Sequence, residues 1–360
     1  MKKTILALAV PALMAAGAVN AATVYDQDGV AVTIGGAAEV QLIQNYEFEG
    51  EDENLDVRLD DGELNFGVEV AVSDSLTALG YYDFEYEDGS VDNDELYAGF
   101  KGDFGKVTIG RQYTFWDDTG IGEDIELGVE GFSGADAGSV VQDGVTLPLT
   151  IDVGAPASGD NVIKYRYDAD AFWFGISHNL KGDNAGEFSA TDAGVGTTVA
   201  GVDLSAYYST SETEVTLAVD SAGSLTSSNK KYDTDAWQFS AVYNVDAFTV
   251  GASYTKIENN YLDVEVGGVD VGTIGSDIDV ESDLVELLLG YGAGDFQYYL
   301  GYNFGEIKDV SDLSNIYANV TYKLHSNVKT YVEAGWTEID PEGGKSDDAT
   351  GFLVGMEVKF

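Results

Sequence analysis

The side chains of this chain that could do chemistry are almost all carboxylates. The sequence holds 64 Asp and Glu against 17 Lys and Arg, two His and no Cys, and its formal net charge is −47. The lack of Cys excludes disulfides and thiolate metal sites. A charge this negative would repel phosphates, so no nucleic-acid partner is expected. The composition therefore points to chemistry based on attracting cations.

Catalysis would need a nucleophile and a base within reach of one another. His178 shares the parity of the apolar residues Phe174 and Ile176, and His325 lies in a predicted tight turn. Neither has an acid or serine partner at a catalytic spacing. We therefore predict that the chain is not an enzyme and needs no cofactor.

One acidic run could be considered for metal binding, but its spacing does not fit. Its acids alternate with other residues instead of following the pattern of a calcium loop. The run consists of Asp277, Asp279, Glu281 and Asp283. We interpret such runs mainly as solvated surface.

The elements that must position these carboxylates are long amphipathic strands. Apolar residues alternate with polar ones from Val30 to Leu42 and again from Leu64 to Val72, and this period of two gives one apolar and one wet face. The last ten residues repeat the pattern, with Leu353 as the one apolar residue on the wet face. Tight turns are predicted at 73–75, 102–105, 168–170, 200–202, 244–246, 292–294 and 325–327. In total, the sequence predicts about sixteen such strands.

The N-terminus reads as a separate segment. Lys2 and Lys3 precede an apolar run and small residues end it at Ala21, so residues 1–21 are predicted to be a secretory signal peptide and 22–360 one domain. No later stretch approaches the roughly 20 apolar residues of a membrane helix. Tight turns alternate with long acidic connections, which favours an all-β, sixteen-stranded antiparallel transmembrane β-barrel. A soluble β-sandwich is the alternative, and the many regular hairpins disfavour it.

The segment from Tyr97 to Tyr113, Y-A-G-F-K-G-D-F-G-K-V-T-I-G-R-Q-Y, resembles the hairpin before the constriction loop of general diffusion porins of Gram-negative bacteria, particularly those of the Vibrio group. Tyr165 and Arg166, the opening V-Y-D-Q-D-G and the terminal Phe360 match as well. The resemblance implies an outer-membrane homotrimer whose third external loop folds inward to narrow the pore. Its partners would be outer-membrane lipid and lipopolysaccharide, with divalent-ion bridging to phosphates as an alternative role for the acidic loops.

By position in that family, the inward-folded constriction loop should run from Thr114 to about Asp143. Asp124, Glu126 and Glu130 would supply the acidic side of the narrowest part of the pore, the eyelet. The segment V-E-G-F-S-G from Val129 stands where a Pro-Glu-Phe-Gly-Gly motif is usual, so the proline is missing.

The wall opposite the loop departs from the family. Glu63 and Glu95 occupy positions where the family usually has arginine, and their parity puts both on the wet face. Lys164 and Arg166 are predicted to point inward, and Arg58 to reach the mouth of the pore.

Arg111 has the parity of Val107 and Ile109 and should face outward. An arginine facing lipid at the bilayer midplane costs roughly 2 to 4 kcal/mol, so we predict that Arg111 lies in the subunit interface.

The predicted function is passive diffusion of ions and small hydrophilic solutes, with a preference for cations. Two unit charges ~10 Å apart in water interact by about 0.4 kcal/mol, so the five eyelet acids would contribute roughly 2 kcal/mol at low salt, and screening reduces this at physiological salt. The alternative is a sugar-specific channel that uses Tyr113, Phe115 and Trp116 as an aromatic slide. A role of the external loops in adhesion or as a phage receptor is compatible with either function.

Overall fold

The computed structural model describes residues 21–46, 48, 54–87, 90–129, 136–137, 140–142, 145–147, 151–152, 155–181, 188–219, 225–262 and 278–360. The first strands are β1 (Ala22–Gln27), β2 (Val30–Gln44), β3 (Asp56–Ser73), β4 (Leu76–Glu87), β5 (Ser90–Gly102), β6 (Gly105–Tyr113), β7 (Asp136–Ala137), β8 (Val140–Gln142), β9 (Val145–Leu147) and β10 (Ile151–Asp152). The others are β11 (Ser158–Asp168), β12 (Phe172–Asn179), β13 (Phe188–Val199), β14 (Val202–Val219), β15 (Leu225–Val245), β16 (Phe248–Leu262), β17 (Ile278–Ala293), β18 (Phe296–Ile307), β19 (Ser311–His325), β20 (Val328–Pro341) and β21 (Asp347–Lys359). Within the described ranges, no helix is long and apolar enough to cross a membrane.

Sixteen of these strands form a closed antiparallel barrel. Each of β2–β6 and β11–β21 pairs with its neighbours in chain order, and β21 pairs with β2 to close the ring. β6 pairs directly with β11, so the long connection between them lies outside the ladder, and its short strands pair β7 with β10 and β8 with β9. The prediction of a sixteen-stranded antiparallel barrel is confirmed.

The two faces of the barrel are reversed relative to a soluble protein. Outward side chains are large, apolar and exposed, such as Phe352 at 45% and Val354 at 43%. Inward side chains are polar and buried, such as Gln238 at 0% and Glu286 at 2%. This arrangement fits lipid outside and a polar lumen inside, as in a transmembrane barrel.

The first and last strands share one edge of β2. β1 pairs with the first residues of β2, and β21 pairs with the stretch from Ala37 to Gln44. Between these two ladders, the N–H of Gly36 donates to the carbonyl of Phe360 at 3.1 Å, and the N–H of Phe360 donates to the carbonyl of Gly36 at 3.0 Å. The ring is thus closed by hydrogen bonds between the two ends of the chain.

The two ends of the barrel differ in their connections. At one end, which we call the short-turn end, the linkers are 28–29, 74–75, 103–104, 169–171, 200–201, 246–247, 294–295 and 326–327. Ala200 and Gly201 have φ of 54° and 83°, as both central residues of a type I′ hairpin turn require. The other end, which we call the loop-bearing end, carries the long connection 114–157.

Candidate functional site

The loop that follows β6 turns into the lumen and is tied to the wall at its first residues. The N–H of Phe115 donates to Ser177 Oγ at 3.0 Å, and that hydroxyl donates to the buried Asp192 Oδ2 at 3.2 Å. Lys164 Nζ donates to the carbonyls of Tyr113 and Thr114 at 3.0 and 3.2 Å. Lys164 therefore points inward but holds the base of the loop.

The middle of the loop is held on the far side of the barrel by Glu333 of β20. The carboxylate of Glu333 accepts hydrogen bonds from three successive backbone N–H groups, those of Ile125, Glu126 and Leu127, at 2.7, 2.9 and 2.7 Å. Asn319 Nδ2 donates to the same carboxylate at 3.1 Å and to the Glu123 carbonyl at 2.6 Å. An anion that accepts several backbone N–H groups makes the stronger, charge-assisted kind of hydrogen bond.

Sequence reasoning missed Glu333, although a signal was present. Its neighbour Val332 is 49% exposed on the outer face, and strand alternation then puts Glu333 inside, where it is 3% exposed. An inward acid is common in a polar lumen, so parity alone does not distinguish an anchor from a lumen-lining group.

An apolar seat next to this anchor holds Leu127. Leu127 is 1% exposed and packs with Ile43, Tyr331 and Leu353. Leu353, the apolar residue on the wet face of the last strand, is therefore a contact for the loop. Gly335 leaves room for Leu127 on the neighbouring wall. A Cβ at position 335 would collide with the hydroxyl of Tyr46 and crowd Leu127.

Leu127→Ala is expected to loosen the loop without opening the barrel. Truncating a buried Leu costs about 2–5 kcal/mol, and the loss falls on the docking of the loop because the wall strands keep their ladders. Single-channel recordings of the variant should show frequent conductance steps that the parent lacks. A quiet variant channel with unchanged heat stability would contradict this assignment of the seat.

The acids of the loop are engaged with the wall to different degrees. Glu126 Oε2 pairs with Arg58 Nη1 at 2.9 Å, and its Oε1 accepts from Gln41 Nε2 at 2.9 Å. Arg58 also pairs with Asp60. Asp124 Oδ2 accepts the N–H of Gly128 at 2.8 Å, which closes a turn within the loop. Glu130 lies outside the described residues.

Three acids lie directly opposite one another on the neighbouring strands β3, β4 and β5. Glu63 of β3 lies directly opposite Glu85 of β4, which in turn lies opposite Asp92 of β5. Glu63 alternates with Leu64, whose side chain is 40% exposed on the outer face. Glu95 lies on the inner face of β5, because its neighbour Leu96 is 52% exposed on the outer face. We call Glu63, Glu85 and Asp92 the acidic row.

Three other basic side chains, unlike Arg58, lie closer to the short-turn end than the acidic row. Arg166 pairs with Asp168 at 3.0 Å, and its guanidinium lies 4.5 Å from the centre of the Trp173 ring. Lys101, which the sequence reasoning did not single out, pairs with Glu69 at 2.5 Å. Lys106 was missed as well and lies directly opposite both Lys101 and Arg166.

A barrel whose lumen is narrowed by an inward loop between acidic and basic wall groups has known relatives. Residues 7–341 match the sequence profile described as Gram-negative porin. The chain belongs to the Gram-negative porin family. Its place is the outer membrane, and its fold is that of a channel protein.

Individual relatives of this porin span the chain or a part of it. It is 36% identical over 371 residues to porin-like protein H of Photobacterium profundum, with 100% of both chains covered. It is 37% identical over 131 residues to a monosaccharide porin of a Halomonas species, over 33% of this chain and 35% of the relative. Among solved structures, the trimer form of OmpT from Vibrio cholerae has a TM-score of 0.70 and 20% identity, with 92% of this chain and 100% of the other covered.

Arg111 of the porin contacts both strands that flank β6. Its Nη2 pairs with Asp160 of β11 at 2.7 Å, and its Nη1 donates to the Asn93 carbonyl at 2.7 Å. The side chain is 43% exposed. These partners hold the guanidinium at the outer face, and the role of Arg111 in a subunit interface stays a prediction.

The aromatic slide of the sugar-channel alternative is wrong for two of its three residues. Phe115 and Trp116 are 0% and 1% exposed, because the loop packs them against the wall beside Tyr207 and Leu284. Neither ring can touch a solute. Trp173 and Tyr207 instead line a cavity of about 630 Å³ between the loop and strands β12–β15 and β17.

Proposed function

We propose that this porin is a passive diffusion channel for ions and small hydrophilic solutes that prefers cations. The observation that carries the proposal is the acidic row together with Glu95 on one side of the lumen and Asp124 and Glu126 on the loop. Three of the inward bases that would oppose this preference are paired with acids: Arg58 with Glu126, Lys101 with Glu69 and Arg166 with Asp168. Lys106 lies next to the short turn 103–104, away from the acidic row. The acids therefore dominate the potential that an ion meets in the narrow part.

The reversal potential in a salt gradient tests this proposal. In a planar bilayer with unequal KCl, the potential should have the sign of cation selectivity and should shrink as salt rises, because the Debye length falls from ~10 Å at 0.1 M to ~3 Å at 1 M. A potential of anion sign would overturn the cation preference, and no conductance would overturn the channel.

The cation preference is expected to weaken on acidification through neutral pH. Burial raises the pKa of Glu126 to about 7 and that of Asp117 to about 6, and both residues lie on the loop. Each carboxyl is charged above its pKa, so both charges are present at pH 8 and absent at pH 5. Each lost charge at ~10 Å changes the attraction by about 0.4 kcal/mol, or roughly twofold in permeability ratio at low salt. Reversal potentials from pH 5 to pH 8 measure this, and Glu126→Gln should flatten part of the curve.

We also propose that the porin is a homotrimer, with Arg111 at or near the subunit contact. The resemblance to a structure described as a trimer form supports this. Conductance steps in groups of three, lost together on heating, are the expected readout. Outer-membrane lipid and lipopolysaccharide would cover the rest of the apolar outer face, and nucleic acid is not a partner.

A sugar-specific channel is a second candidate because of the cavity beside Trp173 and Tyr207. Aromatic rings bind the apolar faces of sugars, and a monosaccharide porin is among the relatives. In this case a monosaccharide should reduce the ion current, and Trp173→Ala should abolish the reduction. A current indifferent to every sugar tested would exclude this function.

A further inference from the structure

Three basic side chains lie directly opposite one another on adjacent strands at the short-turn end of the lumen. Lys101 of β5 pairs in register with Lys106 of β6, and Lys106 pairs in register with Arg166 of β11. Lys164 is one inward position further along β11 and opposes Thr108. We call Lys101, Lys106 and Arg166 the basic row. Like charges directly opposite in a sheet are destabilising, so the row needs compensation.

The three bases of the basic row do not all have a carboxylate to balance their charge. Lys101 has Glu69 at 2.5 Å, and Arg166 has Asp168 at 3.0 Å and Asp118 at 4.0 Å. Across the described ranges, no carboxylate lies within ion-pair distance of the Lys106 ammonium group. The residues directly opposite Lys106 on both neighbouring strands are bases, Lys101 on β5 and Arg166 on β11.

The centre of the row faces the lumen and not the lipid. Val107 and Ile109, on either side of the buried Thr108, are 37% and 56% exposed on the outer face. Lys106 has the parity of Thr108 and so lies inside. It is next to the short turn 103–104, at the mouth of the barrel opposite the one that carries the long loop.

The position along the pore axis separates this row from the acidic row. Asp92 and Lys101 are about nine residues apart on β5, which is roughly 30 Å along the strand. An anion that enters from the loop-bearing end must pass the acidic row first, whereas one that enters from the short-turn end meets the basic row directly. The two mouths of the lumen are therefore unequal for anions.

We propose that the basic row, centred on Lys106, is a binding site for a small oxyanion, a carboxylate or a phosphate, that enters from the short-turn end. The inference rests on the proposed function as a channel. The anion would supply the negative charge that Lys106 lacks and would share the N–H donors of Arg166 that point away from Asp168. Arg and Lys are the residues that proteins use for such anions.

One-sided addition of inorganic phosphate or succinate to single channels in a bilayer tests this site. Either anion should reduce the current at lower concentration from one side than from the other. Lys106→Gln should raise the blocking concentration about tenfold or more, the loss expected for one charged hydrogen bond, and Lys106→Arg should keep it low. Lys308→Gln is the matched control, because Lys308 is an exposed lysine in the turn after β18 and pairs with Glu281 at 3.4 Å.

The outcomes separate the site from the channel function. Conducting channels that phosphate and succinate block equally in the parent and in Lys106→Gln would overturn the site and leave the channel intact. A protein that does not conduct would overturn the proposed function; the site is then tested by calorimetry of the detergent-solubilised protein, where heat with the parent that Lys106→Gln lacks supports it and no heat refutes it. Block by only one of the two anions identifies its chemistry as phosphate or carboxylate.

Discussion

Replacing Glu333 with alanine is expected to release the constriction loop from the far wall and to widen the pore. The carboxylate accepts three consecutive N–H groups of the loop, and each hydrogen bond to a charged group is worth about 1.5–3 kcal/mol. The inward neighbours of Glu333 on β20 are Tyr331 and Gly335, and neither offers a carboxylate in its place. Single-channel conductance should rise, and uncharged polymers too large for the parent pore should enter the variant.

The control for this variant lies on the same strand. Glu338→Ala removes a carboxylate that accepts a hydrogen bond from the hydroxyl of Ser346 at 2.7 Å and makes no hydrogen bond to the described residues of the loop. It should conduct like the parent. Glu333→Gln keeps the shape but not the charge, and an intermediate conductance is expected. Equal conductance of Glu333→Ala and the parent would mean that Leu127 and its seat alone hold the loop.

Placing arginine at Glu63 and Glu95 together is expected to reverse or abolish the cation preference. The double change alters the wall charge by four units, and at ~10 Å from the path of the ion this is about 1.6 kcal/mol, or roughly fifteen-fold in relative permeability at low salt. Both positions keep their strand register, because neither side chain faces lipid. The reversal potential in a KCl gradient should move toward the anion sign.

A matched charge change away from the lumen separates this effect from that of net charge. Glu342 is exposed in the turn between β20 and β21, and Glu342→Arg changes the total charge by the same amount per site. Its reversal potential should equal that of the parent. If Glu342→Arg shifts the potential as far as Glu63→Arg does, then surface charge and not the eyelet sets the preference.

The strands of this porin could be predicted from the sequence because a strand is recognised from residues that are neighbours in the sequence. The alternation from Leu64 to Val72 and the turn at 73–75 need only neighbouring residues, and the hairpin β3–β4 forms where they predict it. Leu353 was visible as an exception to the alternation. Its partner Leu127 was not, because the contact joins residues far apart in the sequence.

The arrangement of the candidate site could be predicted only in part. Parity placed Lys164 and Arg166 on the inner face, but it could not show that Lys164 donates to backbone carbonyls of the loop. The alternative of a sugar-specific channel placed Phe115 and Trp116 in contact with the solute, because aromatic residues bind sugars. Their burial follows from the path that the loop takes across the lumen. The alternation of apolar and polar residues in the strands carries no information about that path.

The pairing of β2 with β21 also has a consequence for how the barrel forms. Hairpins such as β5–β6 join neighbouring residues and can form within microseconds, whereas the bonds between Gly36 and Phe360 need the whole chain in place. Folding slows as the sequence separation of contacts grows. Until β21 pairs with β2, each of these strands has one edge without a partner, and such an edge can pair with a strand of another chain. The open sheet is therefore the species at risk of aggregation, and the time until β2 and β21 pair sets how long that risk lasts.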